Sequence, residues 1–208
     1  MKRDLTIITI LLSALLFLAA CAAPEAPVET GAPAAPEATE AQAAAEAPAI
    51  TEAPAAKSVF GDFTAQDINM NEVSSSIFEG KKVTMVNIWA TFCGPCITEM
   101  PYIGTLAKEY AEKGLQVVGI VIDAAEGNGE VDDSLLAEAK RIISETGADY
   151  LHILPSESLT KAYLNNVQFV PTTVFVDENG VRIGDEYVGG MSEADWRAVF
   201  DEMLEAVA

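Results

Sequence analysis

Three features of this 208-residue sequence point to one α/β domain whose mixed sheet carries helices on both faces. Residues 83–90 (VTMVNIWA) and 115–122 (LQVVGIVI) are apolar, mostly β-branched runs, the composition of central strands buried on both sides. Between them Ile97, Met100, Ile103, Leu106, Ala107 and Tyr110 recur at spacings of three and four, the apolar stripe of a helix. Near the C-terminus, residues 172–176 and 181–188 flank Asp177-Glu178-Asn179-Gly180, a hairpin signal because Asn-Gly tolerates positive φ; an amphipathic helix follows.

The N-terminus reads as an address. Lys2 and Arg3 precede an apolar run over residues 5–20, broken only by Thr6, Thr9 and Ser13, which has the build of an export signal. The run is short for a membrane span, which needs about 20 residues. It ends in Leu18-Ala19-Ala20-Cys21, which resembles a bacterial lipoprotein signal. The resemblance implies that residues 1–20 are removed and that Cys21 carries the lipid. An uncleaved helix with an incidental cysteine is the alternative, and the next segment argues against it. Residues 22–56 are dominated by Ala, Pro, Glu and Thr, and Pro24, Pro27, Pro33, Pro36, Pro48 and Pro54 break any helix that the alanines start. Too few large apolar side chains are present to offset ordering entropy, so residues 21–57 are expected to be an extended tether ahead of a domain at 58–208.

Composition narrows the function. With 12 Lys+Arg against 32 Asp+Glu, a net charge of −20 repels phosphate backbones, and nucleic acid is excluded as an expected partner. Of the three cysteines, Cys21 stands alone and Cys93 and Cys96 form a close pair, so the domain has too few for a structural disulfide framework.

Within the domain, residues 59–63 and a stretch near Ile77 are expected to be short strands ahead of the main fold, with residues 79–82 as a turn. The first long helix should start near Pro95, kink at Pro101 and run to Lys113, with Gly114 as its stop. An acidic loop over 123–133 leads to a helix over 134–146 that stops at Gly147. A short strand over 150–154 and a brief helix over 158–164 follow. Ser192 should cap the last helix, with Trp196, Val199, Phe200, Met203 and Leu204 toward the core.

The chemistry lies in Cys93-Gly94-Pro95-Cys96. A lone C-x-x-C serves zinc sites and redox sites alike. Here Cys93 follows a buried strand at the entrance of a helix, where free backbone N–H groups and the positive end of the helix dipole favour a thiolate, the species that attacks disulfides. Cys96, one turn further in, is placed to resolve the mixed disulfide. A structural zinc site needs four ligands, and the domain offers two cysteines and one histidine, His152, whose ordinary reading is a packed core residue.

Trp89-Ala90-Thr91-Phe92-Cys93-Gly94-Pro95-Cys96, with Val170-Pro171-Thr172 opening a later strand, resembles the thioredoxin superfamily. Asn87-Ile88-Trp89-Ala90, Glu99-Met100-Pro101 and an additional helix and strand between 134 and 154 are similar to its membrane-tethered TlpA/ResA branch. The resemblance spans 58–208 and implies a thioredoxin-like three-layer α/β/α sandwich with N-terminal extra strands and an inserted helix-strand. It implies that Cys93 is the nucleophile, Cys96 the resolving thiol and Pro171 a cis-proline packed against the pair, with Gly189-Gly190 bordering the same groove. It implies no cofactor beyond the redox-active Cys93–Cys96 disulfide. Two positions depart from thioredoxin proper: Asn87 replaces a buried aspartate that assists proton transfer, and Phe92 replaces the more usual tryptophan. In this branch the acid matching Glu99 tunes the thiols, while an exposed helix-start carboxylate is the other reading. Trp89, Phe92, Gly94, Pro95 and Val170 are expected to surround the site, Trp89 and Phe92 by packing.

The expected activity is that of an extracytoplasmic, lipid-anchored thiol-disulfide oxidoreductase, monomeric and held at the membrane. It would reduce disulfides in envelope proteins, apocytochrome c being the substrate class the family suggests, and be re-reduced by a membrane thiol carrier. The Gly94-Pro95 dipeptide, shared with thioredoxin, places its potential at roughly −220 to −280 mV. A thiol peroxidase is the first alternative, but that motif carries Thr or Ser three residues before the cysteine, where this chain has Ala90, and a proline upstream that residues 83–92 lack. A metal-delivery lipoprotein using the cysteines as ligands is the second.

Overall fold

The computed structural model describes residues 57–208; the expected signal over 1–20, the expected lipidation at Cys21 and all but the last residue of the expected tether over 21–57 lie outside the described residues. The order is β1 Thr64–Gln66, β2 Glu72–Ser74, β3 Val83–Trp89, α1 Gly94–Tyr110, β4 Leu115–Val121, α2 Asp133–Thr146, β5 Leu151–Ile153, α3 Glu157–Ala162, β6 Thr172–Val176, β7 Arg182–Val188 and α4 Glu193–Ala206. Five strands form the main sheet in the order β5-β4-β3-β6-β7. β3, β4 and β5 are parallel, and β6 and β7 run antiparallel to their neighbours. β3 is buried at every position, Thr84 and Asn87 included, as its largely apolar run predicts.

The period-2 alternation along β3 separates two layers. Met85 and Val83 face α1 and α4 among Ile103, Leu106, Tyr110, Trp196 and Phe200. Val86 and Ile88 face the opposite layer, built from Leu159 of α3 and the aromatic residues Phe60, Phe63 and Phe78. α2 packs beside α1 through Leu136, Ala139 and Ile142. The result is the expected three-layer thioredoxin-like sandwich. Asp132 caps α2 by accepting from Ser134 N and Leu135 N, and Ser192 caps α4 by accepting from Asp195 N. α1 continues through Pro101, passes into a 3-10 turn at Ala111–Lys113, and ends at Gly114 in the left-handed region.

Several expected elements move. Residues 59–63 are not a strand, because Gly61 turns the chain at φ 59°. Phe60 and Phe63 are buried there as aromatic anchors, Phe60 with its ring 4.7 Å from that of Tyr163. The extra N-terminal strands lie later, at β1 and β2, and form their own antiparallel pair. Ile77 falls in a 3-10 turn, Ser75–Phe78, started by the Ser74 cap. The brief helix ends at Ala162, since Tyr163 leaves helical geometry and a 3-10 turn at Leu164–Asn166 follows.

Among the described residues no helix is long and apolar enough to cross a membrane.

Candidate active site

The loop from β3 into α1 sets the cysteine pair. Cys93 is the N-cap of α1, with extended backbone (φ −85°, ψ 97°), and its Sγ accepts the Cys96 N–H at 3.3 Å. A sulfur there meets one of the free N–H groups of the helix start and the positive end of its dipole. The two cysteines are joined by a disulfide, their Cα atoms 5.3 Å apart. Cys93 is 5% exposed and Cys96 is fully buried, so of the two only Cys93 offers a partner any surface. The entrance is tighter than an exposed helix start suggests. Asp123, just after β4, anchors the loop from below by accepting from Thr91 N at 2.9 Å and Thr91 Oγ1 at 2.5 Å.

A second segment closes on the pair from β6. The Val170–Pro171 peptide bond is cis, and Val170 packs against the cluster that contains Cys93 and Cys96. Gly189 N donates to Pro171 O at 2.8 Å. At Gly190 an added Cβ would stand 3.3 Å from Pro95 O and 3.6 Å from Glu99 Oε2, so a residue without a side chain lets the segment after β7 lie against the cysteine turn. Gly94 and Pro95 are exposed at the mouth. Around it are three apolar side chains that water does not favour: Phe92, 76% exposed, Phe169 at 67% and Val188 at 57%. A groove of about 400 Å³ runs from Phe169, Thr172 and Val188 toward Tyr163, Arg182 and Glu186.

Glu99 is not a surface carboxylate. It is 1% exposed, three residues after Cys96 on α1. Its Oε2 accepts from Met191 N and from the Trp196 indole N–H, both at 3.0 Å, and its Oε1 accepts from Asn87 Nδ2 at 3.2 Å. Burial pushes its pKa up, and these three donors pull it part of the way back. Asn87 Nδ2 also donates to Thr173 Oγ1 at 2.9 Å, so β3, β6, α1 and α4 converge on one acid. Asp123, Thr173, Met191 and Trp196 were not legible as site residues, because each acts by proximity across the sheet, with no motif to mark it.

Trp89 is fully buried and meets His152. The indole N–H donates to His152 Nδ1 at 3.2 Å, which fixes the neutral tautomer and lets Nε2–H donate to Ala148 O at 3.0 Å. Both ring nitrogens are engaged, as befits a packed histidine. Burial lowers the His152 pKa to about 4, against an ordinary 6.5. Between those values the unfolded chain binds a proton that the folded protein refuses, so stability falls as pH drops from 6.5 to 4 and is insensitive to this group above 6.5. The full loss is about 3 kcal/mol. Urea midpoints at pH 7 and pH 4.5 should differ more for the natural protein than for His152→Gln, and equal differences would contradict a buried neutral His152.

Comparison with known proteins places this geometry. A Redoxin family profile matches residues 42–203. The chain belongs to the Redoxin family. Within that family it is similar to the thioredoxin-like protein YneN of Bacillus subtilis, with 31% identity over 140 residues, 67% of this chain and 75% of the relative. It is 26% identical to the thiol-disulfide oxidoreductase ResA of Halalkalibacterium halodurans, over 70% of this chain and 73% of that protein. A thiol:disulfide interchange protein of Chlorobium tepidum superposes with a TM-score of 0.59 at 25% identity, covering 73% of this chain and 99% of the other. This Redoxin member is a ResA-like thiol-disulfide oxidoreductase of the thioredoxin superfamily.

Proposed function

We propose that this oxidoreductase is an extracytoplasmic, lipid-anchored reductant of disulfides in envelope proteins, with apocytochrome c as the substrate class and a membrane thiol carrier as its electron donor. The observation that carries the direction of attack is the asymmetry of the pair: Cys93 is the helix cap, holds an N–H on its sulfur and keeps a small accessible area, while Cys96 has none.

In the reduced protein the Cys93 thiolate attacks one sulfur of the substrate disulfide. A Cys93–substrate bond forms, the substrate S–S bond breaks, and the departing thiolate takes a proton. Cys96 then loses its proton and attacks Cys93 Sγ, which expels the second substrate sulfur as a thiol. The substrate gains two electrons and two protons, and the Cys93–Cys96 disulfide holds the oxidised product until the carrier reduces it. Pro171 and Val170 offer backbone beside the pair, and Phe92, Phe169 and Val188 give an apolar rim to an unfolded polypeptide. Glu99 adjusts the pH at which the thiols ionise. Supporting the location are the export-type run over 5–20 and Cys21 after Leu18-Ala19-Ala20. A tether at the membrane raises the domain's effective concentration near its donor.

A Cys96→Ser protein should accumulate mixed disulfides with envelope proteins in the membrane fraction, and adding Cys21→Ser should move them to the soluble fraction. Capture of cytoplasmic proteins alone would overturn the location. A potential above about −150 mV in glutathione buffers would overturn the reductant direction.

A further inference from the structure

We propose that Trp196 is a positioning residue for the cysteine pair: its indole N–H, with the Met191 N–H, holds the Glu99 carboxylate in its ionised form one helical turn after Cys96, and so sets the pH at which the reduced pair becomes nucleophilic. This deepens the role given to Glu99 above and rests on it.

The three side-chain and backbone partners of Glu99 are all donors, and a carboxylate is an acceptor at every lone pair. Oε2 takes two of them, so a proton on Glu99 has only Oε1 to occupy. There it has only the lone pair that Asn87 Nδ2 leaves free, and since every hydrogen-bond partner of Glu99 among the described residues is a donor, that proton meets no acceptor. Turning the Asn87 carboxamide would present Oδ1 to that proton but would give up the Nδ2 bond to Thr173 Oγ1. It would also move Nδ2 to the side where Oδ1 now finds no partner among the described residues. The cradle therefore favours the charged acid, against burial, which favours the neutral one. Trp196 is the donor best fixed to hold that balance. It is fully buried, its ring lies 5.8 Å from that of Tyr187 and 6.4 Å from that of Phe175, and Ser192 caps the helix that carries it.

Among the described residues, the groups facing Glu99 contain no lysine, arginine or histidine to neutralise it. They are Asn87 from β3, Met191 and Trp196 around the start of α4, and the buried Tyr150 hydroxyl, whose ionisation is opposed by burial first and by the Glu99 charge second. Residues three apart on a helix are neighbours, which puts the Glu99 charge beside Cys96. A negative charge there opposes formation of a thiolate, and the acid and the thiols titrate as a coupled set. Removing the indole N–H while keeping an aromatic ring should let Glu99 take its proton at higher pH and the thiols lose theirs at lower pH.

The test is the pH dependence of alkylation of the reduced protein by iodoacetamide, for the natural protein, Trp196→Phe, Glu99→Gln and the double variant. Trp196→Phe should lower the alkylation midpoint by about half a pH unit, a threefold faster reaction at fixed pH below the midpoint. Glu99→Gln should lower it at least as far, and Trp196→Phe should add nothing in the Glu99→Gln background. A Glu99→Gln shift without a Trp196→Phe shift overturns this inference and leaves the role of Glu99 standing. No shift from Glu99→Gln overturns both. A Trp196→Phe shift that persists in the double variant means that Trp196 acts by packing alone, which also overturns it. Should Trp196→Phe fail to fold, the natural protein labelled with indole ¹⁵N decides. The Trp196 N–H resonance should titrate with Glu99 and stop doing so in Glu99→Gln; a resonance unmoved between pH 4 and 8.5 refutes the inference.

Discussion

A Cys93→Ser protein should keep its fold and lose thiol-disulfide exchange activity, with single-turnover reaction of the reduced protein with an aromatic disulfide falling by at least about 10³-fold, in line with the cost of removing a nucleophile elsewhere. The fold is expected to survive because serine is close to cysteine in size and can itself cap a helix, so the Cys96 N–H keeps an acceptor at the position Cys93 Sγ now fills. Activity is lost because a hydroxyl does not ionise near neutral pH, and among the described residues no other cysteine reaches the surface: Cys96 is fully buried. Cys96→Ser should behave differently, performing the first attack at near-natural rate and stopping at the mixed disulfide. Far-ultraviolet circular dichroism would establish that both variants are folded. If Cys93→Ser retained the first attack and Cys96→Ser abolished it, the two roles would be reversed.

Gly119→Ala is expected to destabilise the domain by about 3 kcal/mol or more, since overpacking and an orphaned buried hydrogen-bonding group add. Gly119 lies in β4, paired with Asn87 of β3 on one side and His152 of β5 on the other. A Cβ there would collide with His152 Nδ1 and stand 3.1 Å from Trp89 Nε1, the two atoms that share the buried hydrogen bond. Neither ring has room to retreat: Trp89 and His152 are 0% and 1% exposed, and His152 is stacked at 4.4 Å on Tyr150. Because Trp89 ends the strand that leads to the cysteine loop, the variant should also blur the site that remains folded. Urea denaturation of Gly119→Ala beside Gly190→Ala separates the effects. The second touches Pro95 and Glu99 at 3.3 and 3.6 Å without entering the core, and should cost less stability than function. A Gly119→Ala midpoint within error of the natural protein would refute the collision.

Local patterns carried much of this protein. Strands β3, β4 and β6, helices α1, α2 and α4, and the Asp177–Gly180 turn follow from runs of apolar residues, three-and-four spacing, capping side chains and glycine, all of which act over a few neighbouring residues. The cysteine pair at a strand-to-helix junction is equally local, and so was legible. Residues 59–63 mislead because their apolar content serves tertiary anchoring by Phe60 and Phe63, and periodicity does not distinguish a buried aromatic in a turn from one in a strand. Whether Glu99 is a surface charge or a buried acid depends on partners 92 and 97 residues away, Met191 and Trp196, and on Asn87 across the sheet. Gly119 looks like an ordinary strand glycine until β5 brings His152 beside it. Sequence spacing reports which face a side chain takes within its own element; the donors that meet a buried carboxylate and the space left for a Cβ are properties of the packed layers, and they exist only once the sheet has closed around α1.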